Sequence, residues 1–285
     1  MEFEEYESIN ALNWSSLKHM AVSPMAYRWA LDHPRKDTPA LLLGRAVHCA
    51  VLEPEVYRDR YLVPEEKRCA TTKKDGERCS HSALPFADHC GVHKGQAEAD
   101  AFAADHPGVE VLTADQGETV EACVASVRAH HDVSDLLEGC TTEQVVTWTD
   151  PGTGVACKGR IDALTPRTVI DLKTTRELAR FEQDAARLLY HAQVAWYLDG
   201  ARAAGVVDPS ARAWIVAVET VGPYDCGPLE VAGADLDAGR EVYRRLLDTW
   251  VSCRDTGDWY GRIPVGRRLE LPRWAPGFEP EEVSL

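Results

Sequence analysis

The sequence predicts an α/β (α+β) fold with a central sheet flanked by helices. Residues 155–175 read as two short strands joined by a turn at Thr165, Pro166 and Arg167. Further strands are expected at Glu143–Thr149, where EQVVTWT alternates, and at Ala211–Val218, ARAWIVAV, with a short one at Leu229–Val231. Stretches of helical period lie before and after these strands. With 285 residues, 45% of them hydrophobic and 27% charged, the chain has ample length to enclose a core.

In chain order, Leu12–Leu31 reads as two helices broken at Ser23-Pro24. Ser15 is a candidate cap for the first and Ser23 for the second, where Pro24 takes the first helical position. Trp14, Leu17, Tyr27 and Trp29 are expected in the core. A loop at Lys36–Pro39 leads to an apolar helix, Ala40–Leu52, ended by Glu53-Pro54. Within it Gly44 and His48 share a face. A lone helical histidine is usually structural, but a glycine inside a helix costs about 1 kcal/mol against alanine and points to a close neighbour. Thr113–Gln116 forms a capping box for a helix reaching His130, with Val120, Cys123, Val124 and Val127 as its buried stripe, and Ser134–Leu137 makes a short helical turn. After the strand pair come a helix at Phe181–Ala203, on which Gln193 and Tyr197 share a face, and a last helix at Leu236–Cys253.

The segment from Arg68 to Lys94 is different in composition. Cys69, Cys79, Cys90 and His93 are spaced C-x9-C-x10-C-x2-H, with a turn at Lys73–Gly76, and large apolar residues are few. Such a stretch cannot order itself by burial, whereas a tetrahedral Cys3His zinc site would supply on the order of 10 kcal/mol. His81 and His89 are competing ligands, an iron–sulfur cluster would ask for a fourth cysteine, and the plain alternative is a loop with free thiols. Lys73, Lys74 and Arg78 are candidate DNA or subunit contacts of this insertion.

The strand pair carries the chemistry. Asp162 stands near the end of the first strand, and Asp171 and Lys173 lie on one face of the second, because strand side chains alternate. Ile170, Leu172 and Thr174 take the other face, toward a core. Two carboxylates about 4 Å apart repel by roughly 4 kcal/mol at an effective dielectric near 20. A divalent cation turns that cost into a gain. The net charge of −15 argues against a protein that coats nucleic acid, though not against an enzyme that grips phosphates locally. No apolar run is long enough to cross a membrane, and the acidic start MEFEEYE is unlike a secretory signal, so a cytoplasmic chain with reduced cysteines is expected.

In order along the chain stand Gly44-x3-His48, Glu143, Gly159-x2-Asp162, Asp171-x-Lys173 and Gln193-x3-Tyr197. This series resembles the PD-(D/E)XK nuclease superfamily and its RecB-like group. The wording around Ser15–Leu17, Ser23-Pro24, Leu43–His48, Ile170–Thr175 and His191–Gly200 is similar to the RecE-type exonucleases (exonuclease VIII) of phages and prophages. One departure is Ile161 where the superfamily has proline before the first aspartate; the cysteine-rich insertion is the other. The resemblance implies a restriction-endonuclease-like core with a mixed sheet. It also implies a single nuclease domain over residues 1–285, to which the cysteine spacing adds a zinc insertion at 67–96 and the proline-, arginine- and acid-rich end a surface tail at 259–285.

By that resemblance Asp162 and Asp171 bind catalytic Mg²⁺ or Mn²⁺ with the Leu172 carbonyl, and His48 is a further ligand. Lys173 orients the attacking water or stabilises charge on the phosphate, Glu143 positions the metal, and Gln193 and Tyr197 hold the DNA strand. The implied activity is hydrolysis from the ends of linear double-stranded DNA, 5′ to 3′, in phage recombination in a bacterial host cell. A single-strand annealing protein is the implied partner, and a homo-oligomeric ring is the implied assembly. The rival readings are an endonuclease or defence nuclease of the same fold, and a DNA-binding module that has lost catalysis.

Overall fold

A computed structural model describes residues 3–65, 67–263, 267–270 and 275. In chain order the elements are α1 (Phe3–Ser8), β1 (Leu12–Asn13), α2 (Trp14–Leu17), α3 (Pro24–Asp32), α4 (Pro39–Leu52), α5 (Pro54–Arg60), β2 (Tyr61–Leu62), α6 (Gly95–Asp105), β3 (Glu110–Val111), α7 (Ala114–Ala129), α8 (His131–Leu137), β4 (Thr141–Thr149), β5 (Ala156–Thr165), β6 (Thr168–Thr175), α9 (Phe181–Arg187), α10 (Tyr190–Ala203), β7 (Arg212–Glu219), β8 (Cys226–Glu230) and α11 (Gly233–Thr256). The main sheet runs β1-β5-β6-β7-β8, with β4 also on β5, and it mixes parallel and antiparallel pairs as expected.

Strand β5 explains where a site can form. Along one edge it pairs with β4 over almost its whole length. Along the other it pairs with β1 at Cys157 and Lys158, then with β6 only from Ala163 to Thr165. Residues 159–162 lie between these two partners, so the sheet opens there. Both faces of the sheet are covered, and this corrects the expectation of one core-facing side on β6. Val169, Ile161 and Ile215 pack with α10 and α11, while Ile170, Leu172 and Val216 pack with α4 and α7. Ile161 belongs to the first layer and Ala163 to the second, so strict alternation breaks at Asp162. Each large side chain buried in these layers contributes about 1.5–3 kcal/mol.

Several local expectations are revised. The first helix is two short pieces capped by Asn13, whose carboxamide oxygen accepts from the Ser16 amide, and not by Ser15. Ser23 caps α3 as expected. Trp29 is 64% exposed and stacks on His33 instead of entering the core. The helix expected over Phe181–Ala203 is broken at Leu189, which takes a left-handed φ of 60° and restarts the chain as α10. Lys158, only 4% exposed, donates to the carbonyls of Tyr6, Glu7 and Ile9 and so ties α1 to β5. Three acceptors satisfy all three ammonium protons, which is what permits its burial. Of the tail, Tyr260 accepts from the Met25 amide and Trp259 stacks on Tyr27, while most of residues 264–285 lie outside the described residues.

Candidate active site and cysteine-rich module

The gap in the sheet collects side chains from both helical layers. Beyond Ala163↔Ile170 the β5–β6 ladder stops, and the Leu172 amide donates to the Asp162 Oδ2 at 2.7 Å instead of to a strand carbonyl. Amide and carbonyl of one strand residue point to the same edge, so the Leu172 carbonyl faces the same gap. From α4, His48 reaches down with Nε2 2.9 Å from Asp162 and Nδ1 3.2 Å from Glu143. Glu143 also takes Arg160 Nε at 2.6 Å. A left-handed φ of 52° at Glu143, rare for a residue with a Cβ, interrupts β4 opposite Asp162. The glycine of the His48 helix has its expected reason, since a Cβ on Gly44 would lie 3.2 Å from Thr174 Oγ1.

Asp171 is fully buried and forms an ion pair with Lys173. The Lys173 ammonium also sits 5.0 Å from the Tyr190 ring centroid. From α10, Gln193 Nε2 donates to Asp171 Oδ1 at 3.2 Å and to the Tyr197 hydroxyl at 3.2 Å. Tyr197 lies over Gly159, where a Cβ would meet its ring at 3.1 Å. Gln193 and Tyr197 therefore face protein groups, with Gln193 holding the carboxylate of Asp171.

The electrostatics follow from burial and close charge. Burial raises Asp171 to about 6, the charge of Lys173 opposing it and that of Asp162 adding to it. For Asp162 burial pushes upward, yet His48 and Lys173 hold the carboxyl below its ordinary value. Burial disfavours a charged His48, but Asp162 and Glu143 overcome this and raise it to about 10. An imidazolium thus stands among the carboxylates where a metal ion would serve the same charge balance.

Ligand atoms of His48, Glu143 and Asp162 all lie within 4.8 Å of one another, while Asp171 stands outside that trio on its own ion pair. Carboxylate oxygens with one imidazole suit Mg²⁺ or Mn²⁺, so the residues present fit such a cation. Sequence reading missed Arg160 and Tyr190. Both had a signal: Arg160 lies inside the Gly159–Asp162 run, and Tyr190 shares the helical face of Gln193 and Tyr197.

The family of the PDDEXK-like domain of unknown function (DUF3799) matches residues 13–262, which span every element of this site. The chain belongs to that family. Comparison with curated proteins returned no match. Among solved structures, a protein described as "Putative exonuclease" from Eubacterium rectale superposes over 95% of this chain and 95% of its own with a TM-score of 0.62 and 14% identity, a likeness of fold. The protein SSO0001 covers 52% of this chain and 71% of its own at 16% identity, and its TM-score of 0.28 supports no argument.

In the insertion of this DUF3799 chain, Cys69, Cys79, Cys90 and His93 come together with ligand atoms within 4.8 Å. Cys79 and Cys90 Sγ are 3.9 Å apart, and His93 Nδ1 is 3.1 Å from Cys90 Sγ and 3.4 Å from Cys69 Sγ. A tetrahedral zinc with Zn–S bonds of about 2.3 Å has S···S edges of about 3.8 Å, so the four donors fit zinc. Although burial acts upward on Cys69, hydrogen bonds from the Cys90 and Thr71 amides bring its thiol down to about 5. Of the competing histidines, His89 Nδ1 is taken by Glu98 at 2.7 Å and His81 stays beside Cys79 at 3.4 Å. Lys73 and Lys74 are exposed at the turn, whereas Arg78 donates to the Cys69 and Arg68 carbonyls and braces the module.

Proposed function

We propose that this chain is a divalent-metal-dependent deoxyribonuclease of the RecE type that degrades linear double-stranded DNA from its ends. One observation carries the reading: the sheet opens beside β5, and an imidazole, three carboxylates and a lysine converge around that opening. Membership of a PDDEXK-like family and a fold shared with a protein described as a "Putative exonuclease" support it.

His48, Asp162, Asp171 and the Leu172 carbonyl would hold Mg²⁺ or Mn²⁺, and Glu143, whose oxygen lies with the donor atoms of His48 and Asp162, would position the ion. Such an ion supplies an activated water and counters the charge of the phosphate. The residues do the rest. Lys173, pinned between Asp171 and the Tyr190 ring, orients the water and stabilises charge developing on the phosphate. Gln193 fixes the Asp171 carboxylate, and Tyr197 fixes Gln193. No covalent intermediate is required.

The same reading treats the chain as one nuclease domain whose insertion at 67–96 is held by a structural Zn²⁺. It takes the direction as 5′ to 3′ and the product as a single strand for an annealing partner in phage recombination. The test is digestion of 5′- and 3′-end-labelled linear DNA beside closed circular DNA, with Mg²⁺ or EDTA. Release of label from linear ends alone, only with metal, is expected. Cutting of the circle would make the enzyme an endonuclease, and inertness on both would leave a DNA-binding module.

A further inference from the structure

The nuclease reading gives the insertion around Cys69, Cys79, Cys90 and His93 no task beyond ordering itself. Its charge differs from that of the rest of the chain. Residues 67–94 carry six lysines and arginines against three acids, in a chain of net charge −15. Three thiolates on one zinc ion would subtract a single charge, and these sulfurs are buried. Of the three acids, Asp88 pairs with Lys67, and the Asp75 carboxylate accepts from the Glu77 amide. Arg68, Lys73, Lys74 and Lys94 are exposed, and none of them pairs with a carboxylate among the described residues.

These cations stand on a braced frame. Lys73 and Lys74 form the tip of a hairpin closed by the Thr72–Arg78 bridge, where the Lys73 amide donates to the Glu77 carbonyl at 2.8 Å. Arg78 fastens that hairpin to the Cys69 carbonyl. Glu98 of α6 accepts from the Asp88 and His89 amides at 2.9 and 3.2 Å, and Phe102 of α6 stacks on Phe86. A backbone fixed in this way loses little freedom on meeting a partner.

The frame is rooted at the rim of the candidate active site. The chain leaves the main domain along β2 and returns along β3, its parallel neighbour. Arg45, Arg60 and Tyr61 line the cavity that also contains His48, Glu143 and Lys173. Glu110 of β3 pairs with both arginines, at 2.7 Å from Arg60. A long substrate whose end lies in that cavity has the insertion beside it.

An acidic protein repels a polyanion at long range and must hold it where its own charge is locally reversed. Single strands are gripped by cations interleaved with free aromatic faces. In the insertion the rings are taken up by one another, Phe86 on Phe102 and Phe102 on His106. Cations without free rings suit the phosphates of a duplex, whose bases are already stacked.

We propose that the insertion is a clamp on duplex DNA outside the cavity, with Lys73 and Lys74 at its tip set against backbone phosphates. The proposal takes its substrate from the nuclease reading above.

The test is the salt dependence of binding by the full, zinc-loaded chain to a blunt fluorescent duplex, read by anisotropy in Ca²⁺ without Mg²⁺ or Mn²⁺. Lys73→Gln and Lys74→Gln are each expected to reduce the slope of log K against log salt by about 0.9, and the double variant by about 2. Lys73→Arg with Lys74→Arg keeps both charges and is expected to keep the parent slope. Arg245→Gln, exposed on α11 in the other helical layer, is expected to keep it too. Zinc content and thermal melts report folding, and the single variants decide if the double variant loses its zinc. An unchanged slope in folded, zinc-loaded Gln variants overturns the clamp, yet leaves the nuclease reading intact if cleavage still depends on Asp171. A reduced slope in a protein that never cuts keeps the clamp and removes the nuclease reading. A reduction seen with single-stranded DNA and absent with duplex overturns the duplex assignment.

Discussion

In the sheet gap the candidate ligands hang on elements that stand without them, whereas in the cysteine-rich module the ligands are themselves the core. Asp162 and Asp171 are flanked by Ile161, Ile170 and Leu172, all buried between two helical layers. The module's own buried cluster is Cys69, Cys79 and Cys90. The first arrangement spends stability made elsewhere on crowding like charges, and the second has little other stability to spend. Chemistry needs the former, because ligands on rigid strands keep their geometry when substrate and solvent change.

The largest effect that could break this contrast is on cleavage. Asp171→Asn is expected to cut DNA at least about 10²–10³-fold more slowly, with a thermal melt close to that of the parent, because Gln193 still has an oxygen to hold. Parent-like cleavage rates would remove the assignment of the site. Next comes the module. Cys90→Ser, or zinc chelation, is expected to expose residues 67–94 to proteolysis while the melt of the sheet persists, since metal binding on the order of 10 kcal/mol is what orders the segment. Metal analysis of the parent should find about one zinc per chain. Loss of the whole fold would show that module and sheet are one cooperative unit and that the contrast is false.

A smaller effect probes the wall of the sheet. Asp150 is buried, accepts from the Thr153 amide and hydroxyl, and pairs with Arg244. Burial acts to raise its pKa, but these partners hold it below the ordinary carboxylate value. Its contribution is therefore present above the unfolded value of about 3.9 and fades as pH falls through the lower folded value. Asp150→Asn is expected to cost about 1–3 kcal/mol at pH 7 and to flatten the acid limb of a denaturant series. A parent-like acid limb would show that Asp150 carries no linkage. The smallest effect is at the seat of α4. Gly44→Ala gains about 1 kcal/mol of helix propensity and crowds Thr174, so a change within about 1 kcal/mol is expected in thermal melts. A loss well above that would mean Thr174 cannot turn aside.

The site was legible where local chemistry is unusual. Carboxylates and a lysine inside strands, a glycine in a helix four residues before a histidine, and a Cys-x2-His pair are each visible without a partner in view. The capping box at Thr113 and Gln116 and the cap at Ser23 were legible for the same reason, since caps act within one turn. What failed were features decided by distant neighbours. Trp29 reads as core by composition but stands on the outer side of α3, and Leu189 breaks a helix whose local pattern is continuous. For Gln193, expected to hold the DNA strand, the fold adds a hydrogen bond to Asp171 that its local sequence does not show.

By itself the sequence determined that the chain has strands with acids where packing residues belong, helices of recognisable period, and four donors spaced for a soft metal. These follow from properties carried within a few residues: side-chain chemistry, period and capping. Only the tertiary structure decided that β5 changes partners from β1 to β6 and leaves residues 159–162 between them. That opening lets His48 from one layer and Gln193 from the other reach the same pair of strands. Strand pairing is a contact between segments far apart in the chain, and its interruption leaves no mark on the residues that border it.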